Sequence, residues 1–147
     1  MGVTFSELSG LERKMHCHHR TAHQKAMGRL GLRYGQPLML MIIYDHQPLY
    51  QKDLAAHMNV TPASVTVSIK RMEKSGWISK VSDSDDLRCT AIRLTERGEA
   101  LARRCKEEME RIDREKFVGF TKEEMAQLAD FYRRMNGNLQ ELEQKGE

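Results

Sequence analysis

Residues 51–95, QKDLAAHMNVTPASVTVSIKRMEKSGWISKVSDSDDLRCTAIRLT, read as two short helices joined by a tight turn and followed by a two-stranded hairpin. The periodicity predicts a first helix over Gln51–His57, with Leu54, Ala55 and Met58 as its apolar face. Asn59 and Val60 make the turn. Thr61 is a good N-cap, and Pro62 suits the first helical position because its missing N–H would have no intrahelical partner there. Val65, Ile69 and Met72 recur at i, i+4, i+7 and mark one buried stripe, and Gly76 is a natural C-terminal stop.

At about 100° per residue, the opposite face of this second helix holds Ala63, Thr66, Val67, Lys70 and Lys74, with Ser64 and Arg71 on its flanks. An α-helix entering a DNA major groove needs that surface: slim side chains that let the backbone approach, hydroxyls for base edges and phosphates, and cations for the phosphate backbone. Thr61 and Lys80 complete this candidate surface. Trp77–Val81 is then a short strand, and Thr90–Leu94 is a second one that alternates, with Ile92 and Leu94 on one side. Between them lies the polar loop SDSDDLRC. A helix-turn-helix whose second helix runs into such a hairpin is a winged helix.

Within that loop, Asp83-x-x-Asp86-x-Arg88, followed by Leu94-Thr95-Glu96-x-Gly98 at the step into a further helix, resembles the MarR family of bacterial transcriptional regulators. The flanking helices fit too, so the resemblance extends over nearly all the chain. It implies that Arg88 enters the minor groove, where negative potential attracts a guanidinium, and that Asp86 braces the planar fork of that arginine. Many relatives carry a second arginine just before this one, and here the position is Leu87. The resemblance further implies a homodimer on a two-fold operator and a small-molecule effector in a cleft between the dimer helices and the winged helix. The matching positions are His16, His19, Arg20, His23, Tyr34, Met39 and Ile43.

The remaining segments extend this frame outward. From Ser6 to about Leu30, the residues Leu8, Leu11, Met15, Ala22, Ala26 and Leu30 recur at three- and four-residue steps, predicting an amphipathic helix ended by Gly31. Pro37 opens a second helix through PLMLMIIYDH, apolar nearly all round and therefore buried on several sides. The link Gln47–Tyr50 can supply a minor strand. Thr95 N-caps a long helix whose inner face is Leu101, Cys105, Met109 and Ile112. After the break at Val118-Gly119-Phe120, Thr121 and Glu124 form a capping box. Met125, Leu128, Tyr132, Met135, Leu139 and Leu142 then make an a/d-type seam of about two and a half heptads.

At 147 residues the chain is one domain's worth. Its net charge of +3 is unevenly spread, at +4 over residues 1–33, +2 over 51–95 and −2 from Glu96 onward, which places positive charge where nucleic acid would lie. There is no run of about twenty apolar residues for a membrane span and no apolar leader core. Three widely spaced cysteines do not form a disulfide framework, so a reducing cytoplasm fits. No phosphate loop, nucleophile–base arrangement or hydrolase motif supports an enzyme. Asp83, Asp85 and Asp86 on a hairpin tip read as turn formers.

Four of the six histidines crowd into residues 16–23. His16, His19 and His23 fall on one flank of the first helix, and the i, i+4 pair His19/His23 has the spacing for a transition metal. The plainer reading is a polar pocket or dimer surface. Among thiols, Cys17 resembles only loosely the first-helix cysteine of the organic hydroperoxide regulators, because helical phase turns it outward. Cys105 reads as a small core residue, and Cys89 lies beside the wing arginine.

The expected architecture is therefore mainly helical, in the order helix, helix, short strand, helix, helix, strand, wing, strand, helix, helix. It is a single domain over 1–147, with residues 37–95 as the DNA-binding winged helix-turn-helix and residues 1–34 and 110–147 as dimerisation helices. The expected function is a sequence-specific double-stranded DNA-binding regulator, a repressor acting as a cytoplasmic homodimer and released by a small ligand, without cofactor or catalytic residues. The alternative is a metal- or redox-responsive regulator on the same scaffold, using the His16–His23 cluster or a cysteine.

Overall fold

The computed structural model describes residues 2–33, 35–82 and 90–146. The order of elements is α1 (Phe5–Arg29), α2 (Gln36–His46), β1 (Leu49–Tyr50), α3 (Gln51–Met58), α4 (Pro62–Lys74), β2 (Ile78–Ser82), β3 (Thr90–Leu94), α5 (Glu96–Lys116) and α6 (Lys122–Lys145). The winged-helix order expected from the sequence is the one found. The chain divides into two units, residues 1–112 and 113–147.

Local chemistry sets the boundaries in the first unit. Thr4 caps α1, its hydroxyl accepting from the Glu7 N–H at 3.2 Å. Gly31 takes φ +81° just past the helix end, and the Leu32 N–H reaches back to the Met27 carbonyl at 3.0 Å. In α4, Thr61 is the N-cap and Pro62 opens the helix as expected. At the other end Gly76 has φ +75°, and the Trp77 N–H donates to the Met72 carbonyl at 3.0 Å. Trp77 thus closes the α4 cap, which is why β2 starts one residue later than the sequence pattern suggests.

The sheet has the order β1–β3–β2, all antiparallel. Leu49 pairs with Ile92 and Ile78 pairs with Leu94, so alternate residues of the three strands face the core. The link before α3 does supply the third strand. Leu40, Ile43, Leu54, Val65, Ile69, Met72 and Ile92 are fully buried and join the helix-turn-helix, α2 and the sheet into one core. Each contributes about 1.5–3 kcal/mol by leaving water. Gln47 ties this core to α5, accepting from the Leu94 N–H at 2.8 Å and donating to Glu99 at 3.3 Å.

Entry into α5 is fixed by Thr95 and Gly98. The Thr95 hydroxyl donates to the Gly76 carbonyl at 2.6 Å and accepts from the Gly98 N–H at 3.1 Å. A Cβ on Gly98 would lie 1.9 Å from the Trp77 carbonyl oxygen, so only glycine fits this approach. Leu101, Cys105 and Ile112 of α5 are buried.

In the second unit, the Thr121–Glu124 capping box is present in both directions, at 2.8 and 3.1 Å. Phe117 and Phe120 meet edge to face with ring centres 5.9 Å apart in the turn before α6. None of the described residues of α6 is buried.

Candidate nucleic-acid interface and adjoining cleft

Helix α4 carries its buried stripe, Val65, Ile69 and Met72, on one side. Ala63, Val67, Lys70 and Lys74 run along the other at i, i+4, i+7 and i+11, all exposed. The first turn of α4 is held by its neighbours. Ser64 shares a 2.9 Å hydrogen bond with the Thr61 hydroxyl. The Thr66 hydroxyl donates to the Pro62 carbonyl at 2.9 Å and accepts from the Gln51 side-chain amide, which also reaches the Pro62 carbonyl at 3.2 Å. Gln51 therefore clamps α3 to the start of α4, a role its position in the sequence does not announce. Thr66, expected as a hydroxyl for DNA, has both hydrogen-bonding directions engaged inside the protein.

The cations expected on this face separate into three groups. Lys70 has no carboxylate partner among the described residues. Lys80, on the sheet side that also carries Ile78, pairs with Glu73 of α4 at 3.3 Å. Arg71 and Lys74 line a cleft beside α4. Asp86 and Arg88, with Cys89, lie outside the described residues, as does Tyr34.

The cleft has a volume of about 1320 Å³, larger than the ~300–1,000 Å³ usual for a small-ligand pocket. His19, Arg20, His23 and Met27 of α1 form one wall, and Ser68, Arg71, Lys74 and Trp77 the other; Arg33, Gln36 and Pro37 lie at the turn into α2, and Met109 comes from α5. Four permanent cations and two histidines thus meet apolar surface from Met27, Trp77 and Met109. No aspartate or glutamate is among the described lining residues. Of the ligand positions expected from the sequence, His19, Arg20 and His23 line the cleft. Met39 and Ile43 do not: they are 1% and 0% exposed and belong to the core, because their side of α2 packs inward. His16 is 3.9 Å from Glu12 and outside the lining. Arg33, Arg71, Lys74 and Trp77 were not legible as cleft residues, since only the fold gathers α1, the turn into α2, α4 and α5 around one cleft.

The His19 and His23 rings are 5.3 Å apart and tilted, consistent with their i, i+4 spacing. Among the described residues no three histidine, cysteine or acidic side chains gather at metal-binding distance. Cys17 is exposed and Cys105 buried, and burial pushes the Cys105 thiol up to about 11. Glu108 on α5 is held below the usual carboxylate range by its hydrogen bond with Arg111, at 2.9 Å, and it also reaches Arg29 of α1 at 3.4 Å.

A helix-turn-helix running into a β-hairpin, with a slim cationic stripe on its second helix, defines a winged-helix DNA-binding protein. The MarR family model matches residues 32–90. The chain is 30% identical over 113 residues to the HTH-type transcriptional regulator YdgJ of Bacillus subtilis (strain 168), covering 77% of this chain and 69% of that one. It is 29% identical over 79 residues to the organic hydroperoxide resistance transcriptional regulator of the same organism, covering 54% of each. In structure it is similar to MepR, a transcription regulator of the Staphylococcus aureus multidrug efflux pump MepA. The TM-score is 0.80 at 22% identity, over 93% of this chain and 99% of that one. The chain belongs to the MarR family of transcriptional regulators. No helix among the described residues is long and apolar enough to cross a membrane.

Proposed function

We propose that the protein works in the cytoplasm as a homodimeric repressor, reading a pseudo-palindromic operator in double-stranded DNA and released by a small organic anion. The observation that carries this reading is the free stripe of α4. It is backed by a buried stripe, fixed at its first turn by Thr61 and Gln51, and it ends in cations. Thr61, Ala63, Ser64, Val67 and Lys70 are assigned to the major groove and its phosphates, and Arg88, braced by Asp86, to the minor groove. A solved MepR–DNA complex, with a TM-score of 0.70 to this chain, supports duplex DNA as the partner.

Dimerisation is assigned to residues 1–34 and 110–147 within one MarR-type domain, with residues 37–95 as its DNA-binding part. Support comes from apolar side chains that single helices leave in water: Phe5 is 90% exposed on α1, and Leu139 is 58% exposed on the α6 seam. The effector is assigned to the cleft, whose cations and apolar walls suit a carboxylate or similar anion on a hydrophobic body. Arg71 and Lys74 belong to α4, so an anion held there draws on cations that operator DNA would otherwise attract.

Selection of bound sequences from random duplex DNA tests the reading. The expected result is a two-fold-symmetric motif with half-sites centred about 34–36 Å apart. Absence of any enriched sequence overturns it.

A further inference from the structure

Val67 is a β-branched residue on the solvent side of a helix, 53% exposed, where neither helix propensity nor burial favours it. Ala63 precedes it by one helical turn on the same stripe and is also exposed. Around them the hydrogen-bonding groups of α4 are engaged elsewhere. The Thr66 hydroxyl is bonded to Pro62 and Gln51, Ser64 shares its hydroxyl with Thr61, and Arg71 lines the cleft. The outward stripe therefore offers a base pair methyl groups and two ammonium groups, Lys70 and, beside the cleft, Lys74. It carries no asparagine, glutamine or arginine to make a bidentate contact with adenine or guanine.

In the major groove the apolar feature of a base pair is the thymine 5-methyl group, and small aliphatic side chains are its partners. We propose that Val67, supported by Ala63, determines sequence specificity by packing on thymine 5-methyl groups, so that α4 selects bases by methyl contact more than by hydrogen bonding. This rests on the assignment of α4 to the major groove. A protein partner on the same stripe is the competing explanation for an exposed valine.

The test uses the full chain and duplexes carrying its selected motif, with each thymine replaced in turn by deoxyuridine, which removes only the methyl group. At one or two positions per half-site the wild-type protein should lose about four-fold in affinity, the worth of one buried carbon. The Val67→Ala protein, whose helix propensity is improved, should bind the thymine and uracil duplexes alike at those positions. If every uracil duplex binds the wild type unchanged, or Val67→Ala keeps the thymine preference, the proposal is overturned. Lys70→Ala separates the two layers. A reduced salt dependence together with indifference to uracil overturns methyl reading alone, whereas unchanged salt dependence and affinity remove α4 from the groove and overturn both.

Discussion

At position 98 the absence of a side chain decides whether α5 can begin where it does. The Gly98 Cα faces the Trp77 carbonyl, which already accepts from the Thr95 N–H at 3.0 Å. A methyl placed 1.9 Å from that oxygen cannot be relieved by a side-chain rotation, because the neighbour is backbone. Gly98→Ala should therefore destabilise at or above the top of the ~1–3 kcal/mol range for overpacking. Chemical denaturation checks this, and a loss under about 0.5 kcal/mol would mean that the α5 start shifts freely. Cys105 makes a different residue-scale statement. Its thiol is neutral in the fold up to about pH 11, whereas in the unfolded chain it ionises near 9.0. Stability from the buried thiol is thus complete below pH 9 and is lost as pH rises toward 11. Relative to Cys105→Ala, the wild type should lose about 2–3 kcal/mol across that window. Equal pH profiles for the two proteins would contradict it.

At the scale of elements, what could be read from sequence was what is local. The caps at Thr61, Gly76, Thr95 and Thr121, the stripe Val65–Ile69–Met72 and the alternation in β3 are all set by neighbours within a few residues, and all are found where the pattern put them. What could not be read depends on which elements meet. Met39 and Ile43 match positions of a ligand cleft by family resemblance, yet they sit in the core because α2 turns that side toward α3 and the sheet. Lys80 looks like any strand lysine until β2 is laid beside α4 and Glu73 comes within 3.3 Å. That pairing separates two lysines that the sequence treats alike. Lys70→Ala should lower the slope of log affinity against log salt by about one unit, since a phosphate contact releases a counterion. Lys80→Ala should lower it less, because the charge it would bring to DNA is partly met by Glu73. Equal slopes for the two variants, measured across a salt titration, would mean that the ion pair opens on binding and that Lys80 contacts phosphate too.

For the molecule as a whole, the question is what covers the apolar side chains that each helix leaves exposed. On α6, Met125, Tyr132, Met135, Leu139 and Leu142 are each 38–58% exposed and follow the spacing of a helix-pairing seam. On α1, Phe5, Leu8 and Leu11 are exposed before the helix reaches its buried end at Ala26 and Met27. In the proposed homodimer a two-fold partner would bury such seams symmetrically and present a second α4 to the next half-site, which makes assembly and DNA affinity one linked property of that reading. A charge in the C-terminal half of the seam should separate them from folding. Leu139→Glu lies at an exposed position, so the helical content of each chain should be kept, while sedimentation at micromolar concentration should shift from dimer to monomer. Operator affinity should then fall by about a hundred-fold or more, because the second half-site no longer binds at the effective concentration set by the first. A Leu139→Glu protein that stays dimeric places the interface elsewhere. One that becomes monomeric yet binds the operator as before would show that a single winged helix carries the affinity.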